Sequence, residues 1–310
     1  MVRVSSVQNK GRRRRNFLRN YELYLFLLPA IIWYLIFCYA PMYGIRIAFT
    51  DYKTGMKIAE APWVGFEKFT TFFASKMFLT SVTNTVLLSV YQLLAGFLPP
   101  ILFALMLNQI RNGPFKKLVQ NVSYMPNFIS TVVLVGMLNA FLSTQSGIIN
   151  QLIEQLGGKS QAFLTKAKFF RSVYVISGVW QGTGWGAIVY LAALSSVNPE
   201  YYEAATLDGA SRLQKIWHVD IPCILPTIII LLILNVGNIL SVGFEKALLM
   251  QQGSNLKTSE IISTYVYKVG LINADYASST AIGLMNSVVN FFMLIVTNFI
   301  AKRVSGTGLW

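Results

Sequence analysis

Six apolar runs of bilayer-spanning length constrain the fold of this chain more than any other feature. A helix crossing the hydrocarbon core needs about 20 mostly apolar residues, and it must satisfy all its backbone polar groups internally. Windows at about 23–45, 81–107, 120–142, 173–194, 225–249 and 279–300 meet that requirement within 310 residues. With 12% charged residues, no stretch is polar enough to cover a soluble core. The expected fold is an all-α polytopic membrane protein with about six transmembrane helices. The first run, Leu23 to Ala40, is too long for the apolar part of a secretory leader. No small-x-small cleavage site follows it, so it reads as an uncleaved anchor.

Lysine and arginine set the orientation. Seven fall in residues 1–20, three in 108–118, two in 195–223 and two after residue 300. With an even number of spans these four segments share one side. The opposite loops, 51–79, 143–172 and 251–276, carry ten over a longer stretch, among six acidic residues. The positive-inside rule then puts both termini in the cytoplasm, with Arg12–Arg15 where charge counts most. The expected organisation is a basic cytoplasmic segment (1–22), a single transmembrane domain (23–302) interrupted by a cytoplasmic loop (195–223), and a short tail (303–310).

The same distribution accounts for a net charge of +14. The basic residues sit between apolar runs, not along an aromatic-interleaved soluble face, which argues against a nucleic-acid partner. Cys38 and Cys223 lie in or beside apolar runs and read as small buried hydrophobes. They supply neither a disulfide framework nor metal-ligand spacing. One histidine, His218, leaves metal chemistry and His-based nucleophilic catalysis poorly supplied.

The loop 195–223 has an internal plan. Asn198 and Pro199 read as the N-cap and first residue of a short helix, with Glu200 and Glu203 in its first turns. Asp208-Gly209 breaks it, and Ser211 can cap a second helix running to about Val219. Pro222 should stop that helix from continuing into the fifth span. The small residues Ala204, Ala205, Gly209 and Ala210 would let another protein approach closely, and Glu203 is placed to cap or ion-pair across the contact. A rigid knob joined to two spans can transmit a push from a soluble motor.

Glu203-Ala204-Ala205, Gly209 six residues after the glutamate, and Val219-Asp220-Ile221-Pro222 resemble the EAA loop of ABC importer permeases. Val219 and Ile221 replace the family's isoleucine and leucine with residues of similar volume. Tyr124-Met125-Pro126 at the start of the third run and Phe244-Glu245 near the end of the fifth are similar to the carbohydrate-uptake, maltose-permease-like subclass. Tyr265 to Gly270 and Leu309-Trp310 resemble a branch serving complex oligosaccharides in Gram-positive bacteria. The resemblance implies a type I importer permease fold in the plasma membrane. It also implies a second homologous permease, two ATPase subunits (or a homodimer) and an extracellular solute-binding protein. ATP and Mg would bind the ATPases, so this chain would need no cofactor and catalyse nothing. Glu203, Ala204, Ala205, Asp208, Gly209 and Pro222 would be the ATPase-coupling residues, and the cargo, an oligosaccharide, would pass by alternating access. Gly158-Lys159-Ser160 mimics a phosphate-binding loop, but Ile153 stands where its first glycine would be.

Within the membrane, Gly178, Gly182 and Gly186 repeat every four residues, as on a helix-packing face within the chain or against a partner permease. Trp180 and Trp185 sit off that face, equally suited to stacking on a sugar or to facing lipid. Asn235, Asn238, Ser241 and Glu245, spaced three, three and four, would form one polar stripe toward a pathway. Interhelical hydrogen bonding is the other use of such groups, and it is favoured for Asn286 and Asn290. Arg46 reads as a snorkelling flank. Two rival classes remain. An ATP-independent secondary transporter or channel should show internal repeats or a charge relay, and only Glu245/Lys246 resembles one. A membrane enzyme would need a nucleophile–base or paired-carboxylate constellation, which the chain lacks.

Overall fold

The computed structural model describes residues 21–309, so Arg12–Arg15, nearly all of the expected N-terminal segment and Trp310 lie outside the described residues. Helix α1 (Tyr21–Phe49) leads through a loop to the short α2 (Glu67–Ala74) and the long α3 (Lys76–Asn108). Helix α4 (Pro114–Phe128) turns through 97° into α5 (Thr131–Phe141). The short α6 (Ile148–Gln155) precedes α7 (Ala167–Ser195), and α8 (Pro199–Leu207) leads into α9 (Arg212–Gly237). Three short helices, α10 (Phe244–Met250), α11 (Leu256–Ser259) and α12 (Ile262–Tyr267), come before α13 (Tyr276–Ser305). Among the described residues the only β pairing is an isolated Thr50–Trp63 bridge.

Four of these helices, α1, α3, α9 and α13, are long and apolar enough to cross a membrane, and α4–α5 makes a fifth if the bent pair is one span. Helix α7 contains the 173–194 window, and its 29 residues reach about 43 Å at 1.5 Å per residue. It carries Gly178, Gly182, Gly184 and Gly186 with Gln181 and Thr183, a composition suited to the protein interior more than to lipid.

Two expected spans are not continuous helices. The 120–142 window bends where Met125–Phe128 tightens into a 3-10 turn at Pro126 and Ser130 caps a new helix by accepting from the Val133 N–H. Tyr124-Met125-Pro126 thus lies in the last turns of α4, just before the bend. The 225–249 window stops at Gly237. Asn290 of α13 fixes the following turn, accepting from the Leu240 N–H at 3.1 Å and donating to the Ser241 hydroxyl at 2.9 Å. Asn290 thus ties α13 to the turn after α9 and not to a second helix, and the buried Asn286 Oδ1 has no hydrogen-bond partner among the described residues.

The core lies between α3 and α7. Leu88, Phe170, Tyr174 and Val175 meet Val242 and Ala247 in one cluster, and Ala104, Ala187, Tyr190 and Ile224 close another. Gly184 is needed where α7 meets α4: a Cβ there would lie 2.0 Å from the Ser123 carbonyl oxygen. The outer surface is strongly apolar. Residues 21–43 of α1 are almost all exposed, as are Phe291, Phe292 and Phe299 of α13, a surface that only lipid or another membrane protein can cover. Cys38 and Cys223 are free and exposed on such surfaces, not buried as expected, because an apolar run in a membrane chain need not face the core.

Candidate functional site

The segment joining α7 to α9 is a closed hairpin built by local signals. Asn198 caps α8 by accepting from the Glu200 N–H at 3.1 Å, with Pro199 at the first helical position. At the other end Gly209 adopts φ +74, a left-handed conformation that disfavours a side chain. The Gly209 N–H then reaches the Thr206 carbonyl at 3.1 Å and the Ala210 N–H the Ala205 carbonyl at 2.9 Å, the Schellman pattern of helix termination. Ser211 and Gln214 form a reciprocal capping box that starts α9. Lys215 donates to the Thr206 hydroxyl at 2.7 Å, tying the two helices together.

Pro222 does not end the second helix. A π turn over Ile216–Asp220 widens the coil just before it and carries the chain unbroken into α9. The wider turn gives the pyrrolidine ring room that a regular α turn would deny it. The second half of the expected loop, from residue 212 on, is therefore about the first three turns of α9.

Asp220 locks the hairpin to the bundle. It is fully buried, accepting from Asn108 Nδ2 at 3.2 Å, from Gln109 Nε2 at 2.9 Å and from the Tyr202 hydroxyl. Burial and the neighbouring carboxylate push the Tyr202 hydroxyl up to about 12, so it stays a donor at neutral pH. One carboxylate thus joins α8, the end of α3 and the start of α9. The face of α8 away from this knot presents Glu203 and Ala204 to the exterior, with Ala205 half-buried and Asp208 exposed at its end. Leu207 is 89% exposed, an apolar tip without cover in this chain.

A cavity of about 450 Å³ lies between α3, α7 and α9. Its polar side chains include Ser89, Gln92, Thr183, Asn235, Asn238 and Ser241, with Tyr190 also in the lining. Gly178, Gly182 and Gly186 line it too, so within this chain their missing side chains open space more than they bring helices together. Gly186 meets α3 closely, with a Cβ there lying 3.1 Å from Pro100, and Gly178 meets α10, with a Cβ 3.3 Å from Lys246 Nζ, whereas Gly182 faces open space. Trp180 and Trp185 are 49% and 48% exposed and do not line the cavity, and Trp185 lies edge-on to Phe128 at 5.6 Å.

Asn235 and Asn238 reach the cavity, but the four-residue stripe is not one helical face. Asn235 is in α9, Asn238 caps its end, Ser241 is in the turn and Glu245 is in α10. Glu245 is exposed and away from the cavity, whereas Lys246 is buried, so the adjacent pair is no relay. Arg46 donates to the Ala59 carbonyl at 3.2 Å. The sequence reading passed over Ser89 and Gln92, whose polar spacing of three inside an apolar run was the available signal, and the donors around Asp220, for which there was none.

The family described as binding-protein-dependent transport system inner membrane component matches residues 100–306. Protein LplB of Bacillus subtilis is 41% identical over 292 residues, covering 94% of this chain and 92% of its own length. The polygalacturonan/rhamnogalacturonan transport system permease protein YteP of the same organism is 40% identical, covering 93% and 90%. A chain in the crystal structure of a bacterial alginate ABC transporter, in complex with a periplasmic protein bound to alginate pentasaccharide, is 41% identical. It superposes with a TM-score of 0.88 over 95% of this chain and 99% of that one.

Proposed function

From the premise that this chain belongs to the family of binding-protein-dependent transport system inner membrane components, we propose that α8 is the lever by which a separate ATPase drives it. The chain is a permease subunit of an ABC importer for oligosaccharides, a non-catalytic membrane component. In this reading it pairs with a second permease to enclose the pathway, with the 450 Å³ cavity as its half. Two ATPase subunits grip the exposed face of α8 around Glu203, Ala204 and Leu207, and they alone bind ATP and Mg. An extracellular binding protein delivers the sugar on the opposite side. Relatives in Bacillus subtilis favour the plasma membrane of a Gram-positive bacterium.

The observation that carries this reading is the hairpin itself. Its outward face is uncovered, its inner face is tied through Asp220, and its second helix runs into the membrane without a flexible joint. Movement imposed on α8 must therefore shift α3 and α9, two walls of the cavity, as closing ATPases would require for alternating access. The experiment is Glu203→Ala in the complete importer reconstituted with its binding protein. Uptake should fall at least several-fold while the permease still inserts and assembles. Uptake equal to the unmutated complex contradicts the role given to α8.

A further inference from the structure

We propose that Lys246 selects cargo by charge, acting through the cavity wall at Gly178 to favour sugars that carry a carboxylate. The inference rests on the cavity being this chain's part of the pathway. Lys246 is 9% exposed. Its ammonium has three N–H donors but meets one acceptor, the Tyr174 carbonyl at 2.8 Å, with the Tyr174 ring face 4.7 Å away at the centroid. The ion pairs among the described residues involve Lys53, Lys57, Lys68 and Lys268, so no carboxylate offsets Lys246. A buried cation held this incompletely is costly, and in a membrane protein such groups mark pathways.

Its position gives that charge a direction. A Cβ added to Gly178 would lie 3.3 Å from the Lys246 Nζ, and Gly178 lines the cavity. Gly178 places no side chain of its own between the ammonium and the cavity. The rest of the lining offers neutral hydroxyl and amide groups, fit for sugar hydroxyls, and no carboxylate or other cation. The field in the cavity is accordingly positive, and an acidic sugar would supply the missing counter-charge without a side chain of its own being buried permanently. The similarity to an importer of the acidic polysaccharide alginate points the same way.

The test uses the complete importer in vesicles with its binding protein saturated in turn by a uronic-acid pentasaccharide and by the methyl ester of that sugar. Equal loading removes delivery from the comparison. The unmutated complex should move the acid faster. Lys246→Met should lower the acid-to-ester ratio of maximal rates about tenfold, the size of one charge attraction across a partly screened wall, and Lys246→Arg should keep most of it. Gly178→Val, whose side chain would crowd the ammonium away from the cavity wall while keeping its charge, should lower the ratio too and serves if Lys246→Met does not assemble. An unchanged ratio in Lys246→Met, or an equal fall in Lys246→Arg, overturns the proposal. An unmutated complex that moves both sugars equally also overturns it, whereas one that moves neither sinks the oligosaccharide reading instead.

Discussion

Asp220 and Lys246 are the instructive pair in this molecule. Each is a charged side chain taken out of contact with the exterior, one where the α8 hairpin joins the bundle and one behind the cavity. Asp220 receives three donors, two from the end of α3 and one from α8, whereas Lys246 finds one backbone carbonyl and an aromatic face. A buried charge with its hydrogen bonds met fixes the parts that meet it. One left short is poorly explained as a fastener, and better explained as a group whose partner arrives from elsewhere.

The largest effect should come from Asp220→Ala. It strands the half-buried Tyr202, Asn108 and Gln109 donors, and at ~1 kcal/mol for each, since water can partly reach them, the loss should be about 3 kcal/mol. Thermal unfolding of the purified permease measures it. Tyr202→Phe removes one of the three bonds and loosens only α8, so about 1 kcal/mol of stability should go. It should also lower transport per ATP hydrolysed, a ratio that unchanged coupling would leave intact. Lys246→Met replaces an under-satisfied cation with an apolar chain of similar length. Stability should stay within about 1 kcal/mol of the unmutated protein or rise. A fall as deep as that of Asp220→Ala would erase the contrast between the two charges.

The smallest effect belongs to a surface pair, Asp51 and Lys68, 2.8 Å apart in the loop before α2 and in α2 itself. The hydrogen bond and charge of Lys68 hold the Asp51 carboxyl below its ordinary value. A lowered carboxylate contributes fully above its ordinary value of ~4 and loses that contribution as pH falls through the lowered one. Lys68→Met should therefore show its whole, small cost at neutral pH, and the two stability–pH curves should converge as pH falls through the lowered value.

What the sequence made legible was local. Asn198-Pro199, Asp208-Gly209 and Ser211 each act within a turn or two, and the structure closes the hairpin with those residues. Hydropathy located the apolar runs but is blind to a bend inside one, so the breaks at Ser130 and after Gly237 were missed. The continuation through Pro222 was missed because it depends on a π turn that no local rule demanded. Asp220 has donors 111 and 112 residues away in sequence, so its role emerges only from packing. The glycine repeat on α7 was visible, yet spacing alone does not tell a packing face from a cavity wall.

The role proposed for α8 requires it to face the cytosol and to be held by an ATPase. Ala204→Cys, in a chain whose Cys38 and Cys223 have been replaced, can be paired with single cysteines on the ATPase of the assembled importer. The account predicts a disulfide-linked permease–ATPase band, and labelling of the new thiol by an impermeant reagent only from the cytoplasmic side. Labelling only from outside the cell, with no link to the ATPase, would contradict it.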